Sequence, residues 1–158
     1  MKRFSVRFFE IVCVVVLCFF ISAMVADEEY SDKTVKEVEK TALSSINIDG
    51  LSLIKTNKIK EEFGFDFEGI EGCRYYASDS IMDVREFMII KLKPDVKPND
   101  VLDIIENRVK EKQILFDGYA PEESAMLKNY ELKYQSGFVF YAVGKDSAEA
   151  LKAFLSAF

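Results

Sequence analysis

Residues 138–144 read FVFYAVG, seven positions without a charge. Successive side chains of an extended strand point to opposite faces of a sheet, so this segment is apolar on both. Such a strand suits the middle of a sheet, and whatever covers its second face decides the architecture. Ser136-Gly137 turns the chain just before it, and residues 130–135 alternate with Tyr130, Leu132 and Tyr134 inward, so the two segments predict a hairpin.

A second hairpin lies upstream. Residues 73–78 and 84–93 are strand candidates joined by the polar loop 79–83, after which Pro94 and Pro98 stop the sheet. Asn99 is placed to cap the next helix, with Asp100 and Asp103 near its positive end. Val101, Ile105, Val109 and Phe116 share one broad face of that helix, flanked by Leu102 and Ile104. The stretch FDGYAPEES, 116–124, then reads as a corner. Gly118 stops the helix, Tyr119 lays its ring on the core, and Ala120 is extended before Pro121. Pro121 opens a short helical turn that carries Glu122 and Glu123 at its positive end.

Helices bracket these hairpins. Thr34 and Glu37 make a capping box ahead of a narrow stripe of Val35, Val38, Ala42 and Leu43, which predicts a helix over about 33–45. A short helix over about 57–63 closes at Gly64, and FDFEGIEG follows as a connection. Asp146 and Glu149 read as another capping box, with Ala150, Leu151, Phe154, Leu155 and Phe158 on the terminal helix.

The order helix, helix, strand, strand, helix, strand, strand, helix predicts an α+β fold. It is a two-layer domain with a four-stranded, mainly antiparallel sheet of two hairpins and the long helices on one face. Phe87, Ile89, Val139, Tyr141 and Val143 are expected on the second face. Either the amino-terminal helices cover that face or it is an exposed apolar patch of the kind that marks an interface. Cover is preferred, because those helices otherwise have nothing to pack on.

The amino terminus bears on location. Residues 11–26 run apolar without a charge, behind Lys2, Arg3 and Arg7 and ahead of the acidic DEEYSD. Basic before and acidic after favours an amino end inside and the remainder outside. The run exceeds a signal h-region of about 7–15 residues and falls just short of the roughly 17–25 that span a bilayer, a deficit that Phe8 and Phe9 fill if Glu10 snorkels. An uncleaved anchor is the first reading. A cleaved signal peptide would cut after Ala23 or Ala26, leaving Ile21 or Met24 where small residues are expected, and would make the protein secreted. A lipidated Cys18 is the third reading. The chain thus divides into an anchor or signal segment 1–26, a juxtamembrane helix and loop 27–56, and a small α+β domain 57–158. A tether over 27–32, about 20 Å at full extension, would hold the domain near the bilayer.

Beyond residue 26 there are 18 basic and 26 acidic side chains, a net charge of −8, which makes nucleic acid and anionic lipid surfaces improbable partners. The absence of His removes the Ser-His-Asp and Cys-His nucleophiles and every imidazole metal site. Asp66, Glu68 and Glu71 lack the spacing of a calcium loop, so no metal and no cofactor are expected. Cys13 and Cys18 fall in the apolar run. Cys73, the only thiol beyond it, has no partner for a disulfide within the domain and reads as buried.

Among the acids, Glu86 shares strand parity with Val84, Met88, Ile90 and Leu92 and so points toward an apolar layer. Burial there would raise its pKa and suit it to acid or base work, whereas pairing with Arg74 across the hairpin would make it structural. Glu122 and Glu123 are the other candidate acids. A Ser-Lys nucleophile built on Ser78 or Ser80 has no supporting motif, and no catalytic residue is assigned. Candidate binding residues are Glu86, Tyr119, Glu122 and Glu123.

The run REFMIIKLKPD, a long amphipathic helix, FDGYAPEESAMLKN, a strand, SGFVFYAVGKD and a terminal helix together resemble the bacterial extracytoplasmic family called domain of unknown function 4358, over about 57–158. The Tyr-Ala-Pro-Glu-Glu run is the most specific part. The resemblance implies a fold unit and a location outside the cytoplasm. Family members are often lipoproteins, a pattern from which this sequence departs by lacking a convincing lipid-attachment Cys. No activity comes with the resemblance, since the family has no established biochemical function.

Three function classes follow. The first is a non-catalytic module of the bacterial cell envelope, tethered to the membrane through residues 11–26 and binding an envelope protein or component. The second is a carboxylate-based enzyme on a cell-wall polymer, using Glu86, Glu122 or Glu123, which needs two acids in one cleft about 5–10 Å apart. The third is a structural or sensory accessory acting through its anchor helix.

Overall fold

Every residue of Glu86–Leu92 and Phe138–Val143 is buried, and these two strands lie side by side at the centre of an antiparallel sheet. In the structure, a computed structural model that describes residues 12–17 and 30–158, the strands are β1 (Ser52–Leu53), β2 (Ile70–Ala77), β3 (Glu86–Leu92), β4 (Glu131–Gln135) and β5 (Phe138–Val143). Their order across the sheet is β1-β2-β3-β5-β4, each neighbouring pair antiparallel. Both predicted hairpins, β2–β3 and β4–β5, are present. The α+β class is observed, but the sheet has five strands where the sequence predicts four. The additional strand, β1, is two exposed residues opposite Tyr76 and Ala77, too short to leave an alternation in the sequence.

Helices α1 (Val35–Leu43), α2 (Thr56–Phe63), α3 (Pro98–Phe116), α4 (Pro121–Lys128) and α5 (Ser147–Leu155) pack on both faces, with a 3-10 turn at Phe67–Gly69. Register decides which residues meet which helices. Phe87 lies opposite Ala142 and Ile89 opposite Phe140, so these four and Phe138 share one face, which Val38 and Ala42 of α1 and Ala150 and Phe154 of α5 cover. Met88, Ile90 and Leu92 share the other face with Val139, Tyr141 and Val143, under Ile59 and Phe63 of α2, Val101, Ile105 and Val109 of α3, and Leu127 of α4. The predicted two layers are therefore three. Phe87 and Ile89 do not share a face with Val139, Tyr141 and Val143, because the pairing of Lys91 with Phe138 sets the phase of β5. Cover of the second face is observed, by α1 and the terminal helix; α2 goes to the opposite side. Each large apolar side chain buried this way contributes about 1.5–3 kcal/mol.

The local signals mostly hold. Thr34 and Glu37 form the predicted capping box, with Glu37 Oε2 2.7 Å from the Thr34 amide, and Gly64 closes α2 at φ +71°. Helix α3 starts one residue before the predicted cap, at Pro98, whose fixed φ suits a first helical position; Asn99 is already helical. Asp146 precedes α5 without making a cap bond, and its carboxylate accepts from the Asn47 amide at 3.4 Å instead. At the corner, Gly118 has φ +72°, Ala120 is extended and Pro121 begins α4 with Glu122 and Glu123 in its first turn. Tyr119 departs from expectation. Phe116 already closes the apolar face, the turn at Gly118 carries the next ring outward, and Tyr119 is 70% exposed.

Residues 12–17 are helical with exposed side chains. No helix among the described residues is long and apolar enough to cross a membrane, and the rest of the predicted anchor, including Cys18, lies outside the described residues. Tyr30 and Ser31, expected in a free tether, belong to the folded unit. The Tyr30 hydroxyl is 2.7 Å from Glu71 and 2.8 Å from the Leu92 carbonyl, and the Ser31 amide donates to the Ser136 carbonyl. Beside them the buried Lys91 ammonium sits 3.1 Å from Glu71 and 5.2 Å from the centre of the Tyr30 ring. The chain thus joins the sheet at its Leu92–Gly137 end.

Candidate functional site

The opposite end of the sheet carries the chemistry. Glu86 opens β3 opposite Ala77 and Val143, on the face that α3 covers, and is 2% exposed. Both carboxylate oxygens are engaged. Oε1 accepts from the Tyr75 hydroxyl at 2.6 Å, Lys112 Nζ at 2.7 Å and Arg108 Nη1 at 2.9 Å; Oε2 accepts from the Tyr141 hydroxyl at 2.6 Å and from the same Arg108 nitrogen at 2.8 Å. Arg108 also reaches Glu62 at 3.3 Å and lies 4.3 Å over the ring of Phe63. Burial pushes the Glu86 carboxyl up, but the charges of Arg108 and Lys112 outweigh it and hold it below the usual carboxylate range. Burial, followed by the Glu86 charge, pushes the Tyr75 and Tyr141 hydroxyls far up.

The inward direction predicted for Glu86 is observed, whereas the raised pKa and the pairing with Arg74 are not. Register places Arg74 opposite Ile89, on the other face, where its Nε and the Tyr76 hydroxyl bind the buried Glu39 of α1 at 2.9 and 2.6 Å. An ionised carboxylate enclosed by four donor groups has no proton to give and no open side for a substrate. Its role is to tie α3 to β2, β3 and β5.

At the same ends of the strands opens a cleft of about 490 Å³, lined by Arg85 and Val143, the chain and cross-strand neighbours of Glu86. Ile46, Leu51, Met82, Met126 and Val143 supply its apolar lining, and Glu122, Glu123, Lys145 and Asp146 line it with charge. Asp83 and Arg85 also line it and are committed to each other, with Nη2 to Oδ2 at 2.7 Å and Nε to Oδ1 at 3.0 Å. The hydrogen bonds from Arg85 hold Asp83 below the usual carboxylate range. Lys145 and Glu122 make a looser, exposed pair at 3.7 Å. At the lip stand Ile81, 90% exposed, and Tyr119, whose hydroxyl is 3.9 Å from Met82 Sδ.

Of the candidate residues, Glu122 and Glu123 line the cleft, Tyr119 touches its Met82 lip, and Glu86 is buried and does not line it. Ser80 lines the cleft too, but its Oγ accepts from the Met82 amide, and Ser78 Oγ accepts from the Ser80 amide. Among the described residues no group of His, Cys, Asp or Glu is arranged to hold a metal ion. Cys73 is half-buried against the core, and burial pushes its thiol up to about 12. Arg108 and Lys112 are not predicted from sequence. Their signal is a basic pair four residues apart, bordering the apolar stripe of Ile105 and Val109.

A family model described as Domain of unknown function (DUF4358) matches residues 44–144, about two thirds of the chain. The match holds the whole sheet, the Glu86 cluster and most of the cleft lining; it begins just after α1 and stops before α5. No curated protein and no solved structure matches the chain.

Proposed function

The chain belongs to the DUF4358 family, and on that premise we propose that it is a non-catalytic binding module, tethered by residues 11–26 to the outer face of a bacterial membrane, whose cleft receives an envelope partner. One observation carries this reading: the acid best placed for chemistry, Glu86, is spent on structure, while the cleft nearby has an adaptable apolar lining and exposed Ile81 and Tyr119 at its lip. Of the three acids named for a carboxylate enzyme on a cell-wall polymer, this leaves Glu122 and Glu123, two neighbours on the first turn of one helix.

Photocrosslinking in living cells tests it. A photoreactive residue at Met126, inside the cleft, should capture an envelope partner, and one at Lys93, near the opposite end, should not. Equal capture from both positions, or none from Met126, would count against the cleft. Protease added to intact spheroplasts should digest the domain; full protection would overturn the outward orientation.

A further inference from the structure

The cleft does not end at Lys145. A second cavity of about 570 Å³ shares Glu122, Met126, Gly144 and Lys145 with it and runs past Asn129 to Glu131, the first residue of the edge strand β4. The first cavity reaches Leu51, the residue before the other edge strand, β1. Together they cross the end of the sheet from edge to edge, four strand spacings or about 19 Å. We propose that the two cavities form one trough for an extended basic segment of a partner protein, and that the Lys145–Glu122 pair is a bridge across its middle which that segment displaces. This rests on the binding reading above and specifies its partner.

The length and the chemistry both favour such a segment. An extended chain rises about 3.3 Å per residue, so roughly six residues fill the trough, a span suited to a chain-like ligand rather than a compact one. The thioethers of Met82 and Met126 adapt to varied apolar side chains. Charge selects the sign. Asp83, Glu122, Glu123, Glu131 and Asp146 line the trough against only Arg85 and Lys145, and Arg85 is held by Asp83. Lys145 already shows the contact a ligand cation would make: its ammonium stands 3.7 Å from Glu122 with both side chains at least 75% exposed, so exchanging it for an incoming Lys or Arg costs little.

Three fluorescent octapeptides with identical apolar positions and Lys, Gln or Glu between them, titrated against the full chain in detergent, test the inference. The Lys peptide should bind, more weakly as salt rises, and the Glu peptide should not. Photoreactive groups at its two ends should label residues near Ser80 from one end and near Ala148 from the other. A triple variant, Glu122→Gln, Glu123→Gln and Glu131→Gln, should weaken binding about tenfold with unfolding unchanged, while Lys145→Ala should tighten it. Equal binding of the Glu peptide, labels confined to one cavity, or weaker binding by Lys145→Ala would overturn the proposal. If Met126 captures an envelope partner but no Lys peptide binds, this inference alone fails; if neither occurs, the binding reading fails with it.

Discussion

Arg108 holds Glu86 through a single nitrogen, Nη1 lying 2.9 Å from one carboxylate oxygen and 2.8 Å from the other, while its guanidinium rests on Phe63. Removing the negative charge would leave Arg108 and Lys112 facing each other around a neutral amide. Glu86→Gln is expected to destabilise the fold by about 3–5 kcal/mol in urea unfolding. Tyr75→Phe, which removes one donor, should cost about 1 kcal/mol. A Glu86→Gln protein of unchanged stability would return this residue to the list of working acids.

Acid should weaken the fold through the same cluster and through the Asp83–Arg85 pair. Burial raises the Glu86 carboxyl, but Arg108 and Lys112 more than reverse this, and hydrogen bonds from Arg85 lower Asp83. Both folded-state values lie below the unfolded ones. The stability they contribute is therefore present above the ordinary carboxylate range, about pH 4, and lost as pH falls through the folded values. Urea midpoints should hold from pH 7 to about 5 and fall below about 4, with a shallower fall in Glu86→Gln.

Alkali acts with the opposite sign. Burial is the first cause that raises Tyr75, Tyr141 and Tyr30, the last to about 12, so their contribution is complete below the free tyrosine value near pH 10 and is lost as pH climbs through the folded values. In a phenolate absorbance titration of the seven tyrosines, Tyr75 and Tyr141 should ionise only in a late step that coincides with unfolding. A single smooth titration near pH 10 in a still-folded protein would contradict their burial.

Gly137 should not tolerate a side chain. Its φ is +89°, and a Cβ there would stand 2.6 Å from the Tyr30 ring. Gly137→Ala is expected to cost at least about 1 kcal/mol from backbone strain, plus whatever moving Tyr30 requires. Combined with Tyr30→Ala, the loss should be less than additive in a double-mutant cycle; full additivity would mean the two do not touch.

Cys73 offers a reporter of opening. With Cys13 and Cys18 replaced by Ser, its raised thiol should react with a disulfide reagent far more slowly in the native protein than in urea. Equal rates would show the thiol to be accessible and near its ordinary value.

Local signals in the sequence were enough for much of the frame, and tertiary relations account for the rest. The box of Thr34 and Glu37, the stripe of Val101, Ile105 and Val109 and the glycine stop at Gly64 each lie within one helix or its end, so each is legible in a short window. The inward direction of Glu86 followed from strand parity alone. Its partners did not, because Arg108 and Lys112 arrive from a helix 22 and 26 residues later. The phase of β5 against β3 depends on Lys91 meeting Phe138, a pairing that no alternation within either strand specifies. The trough draws its lining from the loops around Leu51 and Met82, from α4 and from the turn at Gly144, and only the assembled sheet brings these together.

Tyr30 and the trough sit at opposite ends of β3 and β5, and this arrangement has a mechanical meaning. A pull applied between residue 30 and a ligand held by Met82, Met126 and Lys145 runs along the central strands rather than across them. The ladder between β3 and β5 is then loaded in shear, with its hydrogen bonds sharing the force in parallel instead of parting one after another as in a peeled hairpin. If the proposed partner binds in the trough, tension between it and the amino end would therefore be carried by the two most buried strands of the sheet.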